Sequence, residues 1–215
     1  LAMNEIIKFF IEVGKLKGTP RRGWVIREVK NPESIAEHTF RVAIMAWVLA
    51  GKKDKKMNIE KLLKMALIHD LCEVYSGDIT PYDSILPKDI KKRRELLKTW
   101  PRFSESQKKK LSESKFKKEK AGLEKLIKNL PARLRQEMMH LWLDYENGAS
   151  PEGRFFKHAD RLESFLQAAE YWKTNKHVPQ KPYWTQAEEL HDDPVLLEFI
   201  EQIDKEFHKK IKPKA

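Results

Sequence analysis

The chain has 215 residues, 40% hydrophobic with six Trp and ten Phe, enough for one substantial core and too short for several domains. Apolar residues recur at helical spacing despite a 35% charged content, which excludes a solvated tail; the longest apolar run, Val42 to Ala50, falls far short of the roughly 20 residues that span a bilayer. The excess of 43 Lys and Arg over 32 Asp and Glu, a net +11, attracts nucleic acid, nucleotides or anionic membrane without choosing among them, and the single cysteine, Cys72, excludes an internal disulfide.

The first predicted helix runs from Asn4 to Leu16, with Ile6, Ile7, Phe10 and Val13 on one stripe, and Gly18-Thr19-Pro20 stops it. A loop through Arg21, Arg22, Gly23 and Trp24 follows. The second helix starts at Ser34, where Glu37 completes a capping box, and runs through Val42, Met45 and Leu49 to Gly51; His38 sits in its first turn. The third opens after Asn58 and turns Ile59, Leu62, Leu63, Ala66, Leu67, Leu71 and Val74 toward a core before ending near Gly77, with His69, Asp70 and Glu73 in its last turns.

From about 81 to 122 the sequence is Lys-rich and poor in apolar residues, which predicts a mobile helical excursion with a capping signature at Ser104 and Gln107. The helical period resumes at Leu123, breaks near Pro131, and continues through Leu134, Met138, Leu141, Trp142 and Tyr145 to Gly148. Ser150-Pro151 starts a helix buried through Phe155, Phe156, Ala159, Leu162, Phe165, Leu166 and Ala169, with Asp160 at the margin of that stripe. A last helix begins at Asp193-Pro194. Strands are hardly indicated, so the expected fold is all-α: a single-domain helical bundle over residues 1–215.

His38, the pair His69-Asp70, and Asp160 lie on three helices at positions the apolar pattern points inward. Two imidazoles and two carboxylates suit one divalent ion such as Mn²⁺, Co²⁺, Fe²⁺ or Zn²⁺, and three packed helices can converge four such groups. The bland alternative makes His38 a packing residue near a helix start, His69 a satisfied core histidine, and Asp160 a partner of Arg161 or a lysine. Burying a His-Asp pair inside an apolar run is expensive without compensation, which weighs toward the ion.

The segments Ser34-Ile35-Ala36-Glu37-His38-Thr39, Leu67 to Ile79 with its His69-Asp70, Glu73 and Gly77-Asp78, and His158-Ala159-Asp160-Arg161-Leu162-Glu163 resemble the HD-domain metal-dependent phosphohydrolases. The likeness is greatest to the branch of 5′-deoxynucleotidases, which remove phosphate from deoxynucleoside monophosphates, and it covers roughly Trp24 to Trp172. The resemblance implies that His38, His69, Asp70 and Asp160 hold one divalent ion (Mn, Co, Mg, Fe or Zn) that polarises a phosphoryl oxygen and acidifies the attacking water. It implies Glu73 as the group that orients or deprotonates that water, and Asp78 as the acid for the leaving 5′ oxygen or a contact to the sugar, where a plain helix cap is the alternative.

That branch places an Arg-Trp pair before the first histidine to grip the nucleotide. Trp24 matches the Trp, but Gly23 stands where the Arg belongs, leaving Arg21 or Arg22 to supply a guanidinium from a shifted loop, with Arg27 and Lys30 as further candidates. Trp24 can stack on a base or deoxyribose, or be a core residue. Cys72 points to packing, and Glu163, one turn after Asp160, is a candidate partner for a ligand histidine. The competing functions are an HD-type hydrolase of a triphosphate, a cyclic dinucleotide or an alarmone, and a non-catalytic basic protein that holds nucleic acid on its lysine blocks. Blocks such as Lys91-Lys92-Arg93-Arg94, Lys108-Lys109-Lys110 and those of the C-terminus read first as solvated faces. No basic-then-apolar leader opens the sequence, so a cytoplasmic protein is expected, with a small-molecule nucleotide substrate, no membrane and, from the family likeness, a homodimer.

Overall fold

The computed structural model describes residues 2–53, 56–99, 101–172, 174, 175, 178 and 193–208. Helices α1 (Met3–Gly14), α2 (Arg22–Val25), α3 (Ile35–Ala50), α4 (Ile59–Ile68), α5 (Glu73–Ser76), α6 (Ile90–Thr99), α7 (Glu105–Ile127), α8 (Ala132–Asn147), α9 (Pro151–Trp172) and α10 (Pro194–His208) follow in chain order. No strand occurs among the described residues, in keeping with the all-α expectation. His177, His191 and the C-terminal lysines Lys209-Lys210 and Lys212-Pro213-Lys214 lie outside the described residues.

Local chemistry sets the helix starts. Ser34 Oγ accepts from the Glu37 amide at 3.2 Å while the Glu37 carboxylate accepts from the Ser34 amide at 2.6 Å, so the capping box at α3 forms as the sequence implies. Gly148 ends α8 in the left-handed region, where a side chain is disfavoured. Helices α3, α4 and α9 pack together around Val42, Met45, Leu49, Leu62, Met65, Phe156 and Leu162, and α10 adds Leu196, Ile200 and Ile203. A second cluster, with Leu16, Ile35, Leu71, Leu123, Leu126, Ile127 and Trp142, joins α7 and α8 to the other side. Each fully buried Leu, Ile or Phe contributes about 1.5–3 kcal/mol of transfer free energy. On α3, His38 falls between Ile35 of one cluster and Val42 of the other; after α4, His69 lies between Met65 and Leu71 in the same way. The polar site therefore sits where the two apolar clusters meet.

Three elements differ from the sequence expectation. α1 is rotated: Phe9 and Val13 pack inward, whereas Ile7 and Phe10 are exposed with Met3 and Ile11, because the helix rests on the core through Leu16 in the 3₁₀ turn that follows it. The third predicted helix does not run on to Val74. It stops at Ile68, a tight turn carries His69 to Cys72, and i→i+3 bonds from the Leu71 amide to Ile68 O (3.1 Å) and the Glu73 amide to Asp70 O (3.1 Å) replace the helical ladder. Leu67, expected inside, is exposed. The Lys-rich stretch is partly structural: its second helix, α7, buries Glu119, Gly122 and Leu123 against the body.

Candidate metal centre

The turn after α4 solves a geometric problem. Neighbouring residues on a regular helix diverge by about 100°, yet the break at Ile68 lets His69 and Asp70 address one point. His38 arrives from the first turn of α3 and Asp160 from the middle of α9. His38 Nε2 lies 3.0 Å from Asp160 Oδ1, 3.4 Å from His69 Nε2 and 3.8 Å from Asp70 Oδ2; His69 Nε2 lies 3.2 Å from Asp70 Oδ2 and 3.9 Å from Asp160 Oδ1. Bonds of about 2.0–2.2 Å place neighbouring donors of a tetrahedral or octahedral shell about 3.0–3.5 Å apart; three of these separations lie in that range and the other two are 3.8 and 3.9 Å. His38, His69 and Asp160 alone already bring their donor atoms within 4.8 Å of one another.

The groups behind the cluster aim it. His69 Nδ1–H donates to the Ala66 carbonyl at 2.7 Å and His38 Nδ1–H to Glu163 Oε2, which turns both Nε2 atoms toward the centre. Glu163 is fixed in turn by Arg41, whose Nε donates to Oε1 at 2.8 Å. Tyr145 OH donates to Asp160 Oδ2 at 2.8 Å and frees Oδ1 for the centre. Burial opposes charge on Asp70 and Asp160, but His69, His38 and Arg21 hold both well below the usual carboxylate range. Despite burial and the Arg21 charge, the Asp160 and Glu163 hydrogen bonds push His38 up to about 9.

Glu73, at the start of α5, is buried, and its Oε2 has no hydrogen-bond partner. Burial first, then the charges of Asp70 and Asp78, raise its carboxyl well above the ordinary value. Asp78 follows Gly77, whose φ of +71° suits glycine, and its Oδ2 accepts from the Arg22 amide at 2.7 Å. Arg21 Nη1 donates to Asp70 Oδ2 at 3.0 Å and Nη2 to Ser164 Oγ at 3.1 Å, while Nε stands 4.0 Å from Asp78 Oδ2.

Two of the expected nucleotide contacts have partners within the protein. Arg22 turns its guanidinium away to Asp83 Oδ1 at 2.8 Å, because α2 starts there and its amide is taken by Asp78. Trp24 is a core residue: its Nε1–H donates to Glu33 Oε1 at 2.9 Å and its ring meets Tyr171 edge-on at 5.2 Å. Arg27 is buried and donates to the Gly23 carbonyl at 2.8 Å. Burial, helped by the Glu163 charge, pushes Glu33 up to about 6. Cys72 is buried, and burial raises its thiol far above the ordinary range, as befits packing. The sequence does not mark Glu33, Arg41, Tyr145 or Ser164 as parts of a site. Arg41 lies one turn after His38, as Glu163 does after Asp160, and that shared spacing is the signal that pairs them.

Similarity to known proteins extends over nearly the whole chain. A family model described as an HD domain matches residues 13–195. The 5′-deoxynucleotidase HDDC2 of Homo sapiens is 32% identical over 205 residues, covering 94% of this chain and 86% of its own. The protein of the same name from Xenopus laevis is 35% identical over 175 residues, covering 81% and 73%. Among solved structures, one from Pyrococcus horikoshii OT3 is similar with a TM-score of 0.67 at 27% identity, covering 93% of this chain and 98% of that one. With the His38, His69-Asp70 and Asp160 order, the convergent geometry and a match from residue 13 to 195, this chain belongs to the HD domain family.

Proposed function

We propose that this chain is a metal-dependent phosphohydrolase that removes the 5′-phosphate from deoxynucleoside monophosphates. The observation that carries the reading is the convergence of His38 Nε2, His69 Nε2, Asp70 Oδ2 and Asp160 Oδ1 beside a buried, unpartnered Glu73 Oε2. Relatives named 5′-deoxynucleotidase, similar over most of both chains, supply the substrate class. Membership of the HD family implies a divalent ion; Mn²⁺, Co²⁺, Mg²⁺, Fe²⁺ and Zn²⁺ all suit two imidazoles and two carboxylates, and the ion supplies Lewis acidity to the phosphoryl group and acidifies water.

The remaining roles belong to side chains. Glu73, whose buried Oε2 has no other hydrogen-bond partner, takes the proton of the attacking water. Asp78, anchored by the Arg22 amide, faces the leaving side and donates the proton to the departing 5′ oxygen or binds the sugar. Arg21 keeps Asp70 in place and spreads positive charge between Asp70 and Asp78, where the phosphate enters. The one bond broken is P–O5′, and water supplies the oxygen that replaces it.

The chain acts as one unit in this reading, in the cytoplasm, where a lone buried thiol stays reduced. No helix among the described residues is long and apolar enough to cross a membrane. A homodimer is supported by exposed apolar stripes on α1 (Met3, Ile7, Phe10, Ile11) and α3 (Phe40, Ile44, Trp47, Val48). The test is phosphate release from a panel of deoxy- and ribonucleoside 5′-monophosphates by metal-stripped protein resupplied with each ion. Release from deoxynucleotides is expected to fall by about 10²-fold or more in Glu73→Ala and in Asp70→Ala. Metal binding without cleavage of any monophosphate overturns the reading and moves the panel to triphosphates, cyclic dinucleotides, alarmones and RNA.

A further inference from the structure

A monophosphate carries more negative charge than the ion alone offsets, and two of the arginines expected from sequence already hold carboxylates. Arg22 pairs with Asp83, and Arg21 is tied to Asp70 and Ser164. On α9, Lys157 Nζ donates to the Glu146 carbonyl at 2.7 Å. The remaining direction is that of α7. Its residues 115, 119 and 122 are spaced i, i+4, i+7 and so share one face. Gly122 fixes where that face looks: a Cβ there would lie 2.7 Å from the Cys72 carbonyl oxygen, so α7 lies directly against the turn that carries Asp70 and Glu73. Glu119, one turn earlier, is buried, and Lys115 Nζ stands 3.2 Å from its Oε1.

Lys115 combines two properties. Its side chain is 43% accessible, its ammonium pairs with buried Glu119, and the charges of Glu119, Glu73, Asp70 and Glu146 favour its charged form. A partly exposed cation paired with buried Glu119, on the helix face that Gly122 sets against the Cys72 carbonyl, is placed on the side of α7 turned toward the Asp70 to Glu73 turn. We propose that Lys115 is a substrate-binding residue whose ammonium grips the nucleotide phosphate from α7, opposite the His38, His69, Asp70 and Asp160 cluster. This rests on the phosphohydrolase reading of the site and accounts for the second half of the Lys-rich stretch, which brings one lysine to the phosphate while its neighbours stay in solvent.

The test is inorganic phosphate titrated calorimetrically into the full, Mn²⁺-loaded chain. Lys115→Met is expected to weaken phosphate binding about ten-fold or more, the scale of a lost charged hydrogen bond, with Mn²⁺ affinity unchanged. Lys115→Arg, which keeps the charge, is expected to restore binding to within about five-fold. The KM for a deoxynucleoside monophosphate should follow the phosphate affinity, and Lys115→Gln replaces the Met variant if that one does not fold. Equal phosphate affinity in wild type and Lys115→Met overturns the proposal, as does no measurable phosphate binding to wild type. A parallel loss of Mn²⁺ affinity overturns it too, because Lys115 then serves only the acid cluster. If phosphate binding depends on Lys115 while wild type cleaves no monophosphate, the nucleotidase reading fails and the phosphate site stands; cleavage with Lys115-independent phosphate binding is the reverse.

Discussion

In the proposed centre each ligand candidate is held by a partner: Ala66 O for His69, Glu163 with Arg41 for His38, Tyr145 for Asp160 and Arg21 for Asp70. The ligand types were legible in the sequence because carboxylates and imidazoles inside apolar stripes are rare, whereas most of the supporting partners look like ordinary surface residues until the helices pack. Glu119 is an example with a measurable consequence. Burial, partly offset by Lys115 and reinforced by Glu146 and Asp70, pushes its carboxyl up from 4.5 to about 7. The folded chain therefore keeps a proton that the unfolded chain releases, and the stability from this group falls as pH rises from about 4.5 to about 7. At 1.36 kcal/mol per pKa unit the loss is up to about 3 kcal/mol. Glu119→Gln cannot titrate, so urea unfolding at pH 4.5 and pH 8 should show a shallower decline in the variant. Identical declines in both chains would remove Glu119 as the source.

At the scale of elements, the informative departures lie where a regular helix gives way to site geometry. The apolar period from Ile59 to Val74 predicted one helix; what period alone does not register is that His69 and Asp70 face the same point, where the chain bends into a turn. The capping box at Ser34 and the Pro131 and Gly148 stops were legible because their chemistry is local. α7 was half legible: its lysines read as solvent-facing, and the docking of its second half depends on the Cys72 carbonyl, distant in sequence. Gly122→Ala tests that docking. Alanine favours a helix interior by about 1 kcal/mol, but its Cβ would stand 2.7 Å from a backbone oxygen between Asp70 and Glu73, and overpacking of that kind typically costs about 1–3 kcal/mol. We expect a net loss of stability together with weaker Mn²⁺ binding. Gly14→Ala, where the new Cβ meets only the Lys17 side chain at 3.8 Å, is the control and should be neutral or stabilising. A Gly122→Ala chain as stable as wild type, with unchanged metal affinity, would show that α7 yields freely at the catalytic turn.

For the molecule as a whole, charge and apolar surface pull in opposite directions. A net +11 suits the capture of an anionic nucleotide and repels a second copy of the same chain. Yet α3 presents Phe40, 71% exposed, and Trp47, 52% exposed, on one stripe with Ile44 and Val48, and α1 repeats the spacing with Met3, Ile7, Phe10 and Ile11. Side chains of this size gain by being covered, and the proposed homodimer would cover them symmetrically. Salt then separates the two forces: at about 0.15 M the Debye length is about 8 Å, so added salt weakens the repulsion between copies and leaves apolar contact intact. Association should tighten as NaCl rises from low to moderate concentration, the opposite of a complex held by ion pairs. Light scattering with sedimentation equilibrium should give a two-chain mass that falls toward one chain in the Phe40→Ser, Trp47→Ser double variant, with phosphate release per chain retained because neither residue belongs to the metal cluster. A one-chain mass at every salt concentration would count against the dimer, and a two-chain mass that survives the double variant would move the interface from α3 to α1.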